Sequence, residues 1–234
     1  ASAPLLGDLS WFAEWQAGYG ATPPFDFPRP HQSSAELLIE LARAHPGEVT
    51  ILAIGPLTNL ALALRQAPEI AGQVRRVVAM GGSFATTNPE FNVHCDPTAA
   101  QAVYQAGWPL TLIGMEITRR LAFSRAEFAA LPDANPALRL FREQAAGWID
   151  RVESMGWEKD GCALHDAAAA AYLLQPELFE TRKAEVEVTV EASGELPAGA
   201  TVLKPAVDDS ERTVDVATRV DAPRCRELVW SLLQ

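Results

Sequence analysis

Two short apolar runs flank one helical segment, and this arrangement constrains the fold more than any other feature of the sequence. Val49–Ile54 and Val74–Met80 have strand length, contain β-branched residues and are apolar enough to be buried on both faces. Between them, Leu60–Gln66 has helical character and ends before Pro68. A strand–helix–strand unit of this kind implies parallel pairing with a right-handed crossover.

Three further runs extend the predicted sheet. Leu110–Met115 is a third buried strand, while Glu185–Glu191 alternates strictly and indicates a half-exposed edge strand. Arg212–Val220 is a second alternating strand. Strands that alternate with helices predict an α/β fold with an open, mostly parallel, mixed sheet flanked by helices. We expect residues 1–234 to form a single domain, as their number allows.

The helices are predicted from caps and apolar periodicity. Ser33 and Glu36 fit a capping box, and Leu37, Leu38 and Leu41 would form the buried stripe of the helix that follows. Further helices are predicted from Pro97 to about 106, over 124–131 and 136–154, after Asp166, and over 223–233.

A polar loop follows the second strand. Met80 is followed by Gly81-Gly82, and the next nine-residue polar stretch holds Asn88, Glu90, Asn92, His94 and Asp96. Asp96 is placed to be the N-cap of the helix that begins at Pro97. Open α/β proteins bind ligands beyond the carboxyl ends of their strands, so this loop is a candidate site. The alternative is an ordinary connection with a capping aspartate.

A second polar pair, His165-Asp166, stands just ahead of an alanine-rich helix. The amino end of a helix is electropositive and stabilises a carboxylate. On the local sequence alone, a plain N-cap role for Asp166 is the favoured interpretation.

Composition excludes several classes of function. The chain is 48% hydrophobic and 21% charged, with a net charge of −11, which argues against nucleic acid or an anionic membrane surface as partner. Cys95, Cys162 and Cys225 are widely spaced and odd in number, as expected of reduced thiols in a cytoplasmic protein. The sequence shows no membrane-spanning apolar run, opening signal sequence, Gly-x-Gly-x-x-Gly motif or Walker motif.

Taken together and in order, four motifs resemble the nucleoside hydrolase family, the inosine-uridine preferring nucleoside N-ribohydrolases. The matching segments are Ile54–Asn59, Met80–Gly82, Glu90–Asn92 with Asp96–Ala100, and His165–Asp166. The resemblance implies an active site at the carboxyl ends of the strands and hydrolysis of a ribonucleoside to free base and ribose. It also implies a calcium ion that binds the nucleophilic water and the ribose 2′- and 3′-hydroxyls. The family's habit further implies a homodimer or homotetramer.

The resemblance assigns a role to each of seven residues of this site. They are Asp166 and the backbone carbonyl of Ile54 as calcium ligands, Glu90, Asn92 and Asn88 at the ribose hydroxyls, Met80 lining the sugar pocket, and His165 near the base, where it would assist its departure.

The departures from the family pattern matter as much. The family begins with an Asp-x-Asp-x-x-x-Asp-Asp cluster that supplies most calcium ligands and the base that activates the water. Asp8 stands alone, Asp208-Asp209 lies near the other end, and Gln16–Gly20 occupies the place of the family's His-Gly. On the order of 60–80 residues of strand–helix units would be missing ahead of Ala1. Asp166 and one carbonyl are too few ligands for calcium.

Three hypotheses follow. The chain is most of a nucleoside hydrolase whose amino-terminal piece lies elsewhere, or a non-catalytic nucleoside-binding relative, or a generic α/β domain with chance matches. We expect the 234 residues alone to be inactive. Without the missing strands, an exposed sheet edge should make the chain aggregate or recruit a partner.

Overall fold

In this computed structural model the described residues are 31–133, 135–206 and 213–233. The predictions for Asp8, Gln16–Gly20 and Asp208-Asp209 lie outside these residues.

A six-stranded mixed sheet forms the centre of the described part. In chain order the strands are β1 (Thr50–Ala53), β2 (Arg76–Met80), β3 (Leu110–Ile113), β4 (Ala122–Ser124), β5 (Gly161–Ala163), β6 (Phe179–Val188), β7 (Thr201–Pro205) and β8 (Thr213–Val220). The sheet order is β1-β2-β3-β8-β6-β7, and β4 pairs with β5 separately. β1, β2, β3 and β8 are parallel, whereas β6 is antiparallel to both its neighbours. The predicted mostly parallel, mixed α/β sheet is confirmed.

Helices occupy the connections between the strands. In chain order they are α1 (Ser34–Ala44), α2 (Thr58–Gln66), α3 (Phe91–Cys95), α4 (Pro97–Tyr104), α5 (Met115–Thr118), α6 (Arg125–Ala129), α7 (Pro136–Ser154), α8 (His165–Leu174) and α9 (Ala222–Ser231). Short 3-10 turns follow α2, α5 and α8. As predicted, Asp96 caps α4 by accepting a hydrogen bond from the Ala99 backbone N–H. The five-residue α3 was missed because it lies inside the polar loop.

The capping box of α1 is present, but its predicted buried stripe is wrong at Leu37 and Leu41, which are exposed. Leu38 is half-buried and packs against the core, and the buried residues are Ala35, Ile39 and Ala42. Both sets have helical spacing, so periodicity alone could not choose between them. The small alanines allow α1 to pack closely against its neighbour α2, and Leu37 and Leu41 are left on the outer side.

The two ends of the sheet also correct the sequence prediction. β1 is buried on one face only, with Leu52 exposed on the other, and Ile54 directly after it is exposed as well. No described strand pairs with the outer edge of β1. β6 is not an edge strand, since it lies between β8 and β7. The unrecognised β7 takes the edge position. Its five residues end in Lys204-Pro205, which concealed the strand pattern.

Hydrophobic clusters cover both faces of the sheet. Within β2, Val77 belongs to one cluster while Val78 and Met80 belong to the other, as expected for side chains that alternate along a strand. All three cysteines are buried with free thiols, and burial raises the thiol pKa of Cys95 to about 12. Across the described ranges, no helix has the length and apolar character needed to cross a membrane.

Candidate active site

The candidate site lies where three parallel strands end side by side. Ala53 of β1 is in register with Ala79 of β2, and Met80 is in register with Ile113 of β3. The residues that follow these strands therefore emerge at the same edge of the sheet. This is the edge at which the sequence predicted a ligand site.

Glu90 is the buried carboxylate of this site. It is only 4% exposed and is the N-cap of α3. Its Oε1 accepts a hydrogen bond from the Asn92 backbone N–H at 2.9 Å, and its Oε2 accepts from the N–H groups of Gly82 and Val93, both at 3.2 Å. Burial raises the pKa of Glu90 to about 7, with a smaller contribution from Asp166, and outweighs the opposing effect of the three hydrogen bonds.

Asn92 joins the end of β2 to the polar loop. Its Nδ2 donates to the backbone oxygen of Met80 at 3.1 Å and lies 3.3 Å from the Met80 sulfur. Asn92 and Met80 are both buried. Among the described residues, no donor is found for Asn92 Oδ1. The amide oxygen is therefore available to a ligand hydroxyl.

The pair at the start of α8 does not form the predicted cap. Leu164 is the N-cap and makes no side-chain capping bond, so the N-cap interpretation of Asp166 is wrong. His165 Nδ1 lies 2.7 Å from Thr118 Oγ1. Burial, aided by the charge of Arg119, lowers the pKa of His165 to about 4, so the imidazole is neutral at pH 7.

Asp166 differs from the other site carboxylate. It is exposed, yet partial desolvation still raises its pKa above the usual value. Within the described ranges, its carboxylate has no hydrogen bond or ion pair. Ile54, directly after β1, is 47% exposed. Neither residue is enclosed by the rest of the described site.

The loop between β2 and α3 is anchored by residues that sequence reasoning did not assign. Glu116 Oε1 accepts from the backbone N–H groups of Phe84 at 2.6 Å and Ala85 at 2.7 Å. Thr201 Oγ1 donates to the Ser83 oxygen at 2.8 Å and accepts from the Ser83 N–H at 3.0 Å. Glu116 was detectable, because it follows β3 at the carboxyl edge. Thr201 gave no local signal.

The Phe84 ring occupies a slot made by two glycines. A Cβ at Gly82 would lie 2.5 Å from the ring, and one at Gly114 would lie 2.7 Å from it. Gly82 also has φ +89°, a conformation that favours glycine. Asn88, by contrast, lies on the exposed part of the loop, where its backbone N–H donates to Thr86 Oγ1. The structure does not bring the Asn88 side chain into the buried cluster.

The described residues do not by themselves fit a calcium ion. No group of three or more His, Cys, Asp or Glu side chains among them could hold a metal. The oxygen atoms of Asp166 and Ile54 are suitable hard donors, but calcium requires about six to eight.

Together, the fold and this cluster define an α/β protein with a carboxylate, an amide and an imidazole at the carboxyl ends of parallel strands. The sequence profile of the family described as "Inosine-uridine preferring nucleoside hydrolase" matches residues 2–227. The chain therefore belongs to the inosine-uridine preferring nucleoside hydrolase family.

Several known proteins are similar to this chain in sequence or in fold. The non-specific ribonucleoside hydrolase RihC of Escherichia coli O7:K1 is 35% identical over 195 residues, covering 80% of this chain and 61% of that protein. The pyrimidine-specific ribonucleoside hydrolase RihA of an Enterobacter species is 35% identical over 178 residues, covering 73% of this chain and 56% of that protein. The purine-preferring ribonucleoside hydrolase from Gardnerella vaginalis superimposes with a TM-score of 0.83 at 27% identity, covering 92% and 70% of the two chains. This chain thus spans less than two thirds of the length of these two curated relatives.

Proposed function

We propose that this chain forms the larger part of an enzyme that hydrolyses the N-glycosidic bond of ribonucleosides to free base and ribose. The observation that carries the proposal is the joined unit of Met80, Glu90 and Asn92, with Asp166 close enough to raise the pKa of Glu90, in a chain of this family. The named relatives act on ribonucleosides with different base preferences, so we propose the substrate class without choosing a base.

Glu90 and Asn92 are proposed to hold the ribose hydroxyls. Glu90 Oε1 accepts only one hydrogen bond from the described residues, which leaves it a free lone pair. Asn92 Oδ1 is available in the same way. Met80 would line the sugar pocket between them. Asn88 would reach the ribose only if the exposed loop moves inward when substrate binds, and we keep it as a proposed ribose ligand on that condition.

His165 is proposed to assist departure of the base. Because its imidazole is neutral at pH 7, it would act as a hydrogen-bond donor. Thr118 Oγ1 lies 2.7 Å from His165 Nδ1 and 3.4 Å from the Met115 backbone oxygen, so we assign its one proton to the shorter contact. With Thr118 donating to Nδ1, the proton of the ring lies on Nε2, where it is available to the leaving base. The tautomer is inferred from this hydrogen bond.

Asp166 and the Ile54 carbonyl are proposed as two of the ligands of a calcium ion. The remaining oxygen ligands would come from water and from polypeptide outside the described residues. When bound, calcium supplies a water molecule of lowered pKa.

The proposal is tested by release of base from inosine and uridine. The protein as its gene encodes it should release base in a calcium-dependent reaction. An intact mass above the 25.3 kDa of these residues would identify further chain that could supply carboxylates. If the encoded protein releases no base above background and a chelator changes nothing, the proposed hydrolysis is wrong.

A second candidate function is binding of nucleoside or ribose without turnover. The incomplete set of oxygen donors among the described residues favours it. Calorimetric binding of uridine with no base release in excess calcium would support this candidate over hydrolysis.

We further propose a cytoplasmic protein in which residues 1–234 belong to one domain and which assembles as a homodimer or homotetramer. Its proposed partner is a small-molecule ribonucleoside, and the net charge of −11 argues against nucleic acid or an anionic membrane.

A further inference from the structure

Tyr104, at the end of α4, carries a buried hydroxyl group that the proposed mechanism does not use. The residue is 2% exposed, and within the described ranges no hydrogen-bond partner is found for its hydroxyl oxygen. A buried polar group without a partner costs free energy, and native proteins rarely leave one unsatisfied. The position of this hydroxyl therefore needs an explanation.

The hydroxyl borders a small gap over Gly81, which it shares with Glu90. A Cβ built on Gly81 would lie 3.2 Å from Tyr104 Oη and 3.4 Å from Glu90 Oε2. Val93 Cγ2 forms the third side at 3.5 Å. Because Gly81 has no side chain, nothing from this residue separates the phenol from the carboxylate.

The two groups are chemically matched. Burial, and then the charge of Glu90, raises the pKa of the Tyr104 phenol far above neutrality, so the phenol is a donor at any working pH. The bonds that Glu90 Oε2 accepts from Gly82 and Val93 are both long, at 3.2 Å. Glu90 Oε2 can therefore accept a further hydrogen bond, and the Tyr104 phenol is a donor that has no acceptor among the described residues.

We infer that Tyr104 is a positioning residue for Glu90, and that its hydroxyl is hydrogen-bonded to Glu90 Oε2 through one water molecule in the gap over Gly81. This interaction holds the Glu90 carboxylate through Oε2 and leaves Oε1 available to a ligand. The inference rests on the proposed function only for the identity of that ligand. Tyr104 itself does not touch the substrate.

The test measures the pKa of Glu90 by carbon-13 NMR of its carboxyl group in the protein as its gene encodes it, assigned with Glu90→Gln. The titratable groups linked electrostatically to Glu90 are Asp166, Cys95 and Tyr104. Tyr104→Phe removes the hydroxyl that holds the bridging water on the charged carboxylate, so the pKa of Glu90 should rise by about one unit. Tyr172→Phe, which removes a phenol hydroxyl from α8, is the matched control and should leave that pKa unchanged.

Gly81→Ala provides an independent arm, because its methyl group would enter the gap between the two oxygens. It should raise the pKa of Glu90 in the same direction. In the double variant with Tyr104→Phe, the loss of the hydroxyl makes room for the methyl group, so the two shifts should not add. If Gly81→Ala does not fold, the Tyr104→Phe arm decides alone.

A pKa of Glu90 that is the same in the wild type, Tyr104→Phe and Tyr172→Phe would overturn the inference and would show that Tyr104 only packs. The measurement needs no turnover. An inactive protein whose Glu90 pKa responds to Tyr104→Phe would contradict the proposed function and support the inference. An active protein with an unresponsive Glu90 would do the reverse.

Discussion

Two groups of residues in the candidate site are built in opposite ways. The anchored set (Met80, Glu90 and Asn92) is buried and joined by hydrogen bonds to its own loop and strand. The open set (Ile54 and Asp166) is exposed, and no described residue bonds to the Asp166 carboxylate. The described residues therefore hold the anchored set in place before any ligand binds. The open set would need further oxygen ligands, from water or from polypeptide outside the described residues, to bind a calcium ion.

The largest expected effect is on catalysis, and it separates the two sets. In the encoded protein, Glu90→Ala and Asp166→Ala should each lower kcat/KM by about 10²–10³, because the first removes a proposed ligand of the ribose and the second a proposed ligand of calcium. Only Asp166→Ala should also raise the calcium concentration needed for half-maximal activity. Initial rates of base release against calcium concentration provide the measurement.

Glu143→Ala, an exposed carboxylate on α7, is the control for these two variants and should retain wild-type rates. An Asp166→Ala variant with unchanged calcium dependence would remove this residue from the proposed cation site and break the distinction between the two sets.

The second effect is the pH dependence of stability in the anchored set. The pKa of Glu90 is raised from 4.5 to about 7 in the folded protein, so folding is disfavoured as pH rises between these values. This costs on the order of 3 kcal/mol by pH 7. His165 acts in the opposite direction, because its folded pKa is lowered from 6.5 to about 4 and stability rises with pH in that window.

Urea unfolding from pH 4 to pH 8 tests this. Glu90→Gln removes the contribution of Glu90 and leaves that of His165, so the free energy of unfolding of this variant should rise from about pH 4 to pH 6.5. In the wild type, the opposite pH dependence of Glu90 should cancel much of this rise. Parallel pH profiles for the two proteins would contradict the assignment of the raised pKa to Glu90.

A smaller effect is expected from the residue that anchors the polar loop. Glu116→Ala removes the acceptor of two backbone N–H groups and should lower the free energy of unfolding by about 2–3 kcal/mol. Glu116→Gln retains an acceptor oxygen and should lose less. Faster amide exchange at Phe84 and Ala85 in the alanine variant alone would locate the effect in the loop. Unchanged amide exchange at Phe84 and Ala85 would show that Glu116 does not anchor the polar loop.

The smallest effect on folding is expected at the outer edge of the sheet. Leu52 is 37% exposed on β1, so Leu52→Lys should change the free energy of unfolding by no more than about 0.5 kcal/mol. It should nevertheless reduce self-association of the 234-residue chain, measured by light scattering, because a charge on an edge strand opposes pairing. Thr50→Lys places the same charge on the same strand and face, so it should reduce self-association as well. A wild-type chain that is already a monodisperse monomer would contradict the expected self-association through the outer edge of β1.

The sequence was informative where local patterns and tertiary structure agree. The strand–helix–strand unit ending at Met80 and the cap that Asp96 provides depend on nearby residues, and both were predictable. The resemblance to the family grouped Glu90, Asn92 and Met80 in one site. The three lie close together because Met80 ends β2 and the other two are in the loop that follows it.

The missing features depend on distant contacts. The inner position of β6 depends on β7, and the buried side of α1 depends on how closely α2 approaches. The N-cap role of Glu90 requires α3, a helix too short to show periodicity. The bond between Thr201 and Ser83 joins segments 118 residues apart, which no local pattern could reveal.

The three buried thiols can serve as probes of local opening in this molecule. A thiol reacts with a labelling reagent as its thiolate and only when it is accessible, so each cysteine reports how often its surroundings open. Cys95 ends α3, the helix that Glu90 caps, whereas Cys162 and Cys225 lie in the hydrophobic cluster that contains Val78. Their labelling rates would therefore time the opening of the candidate site separately from the opening of the core.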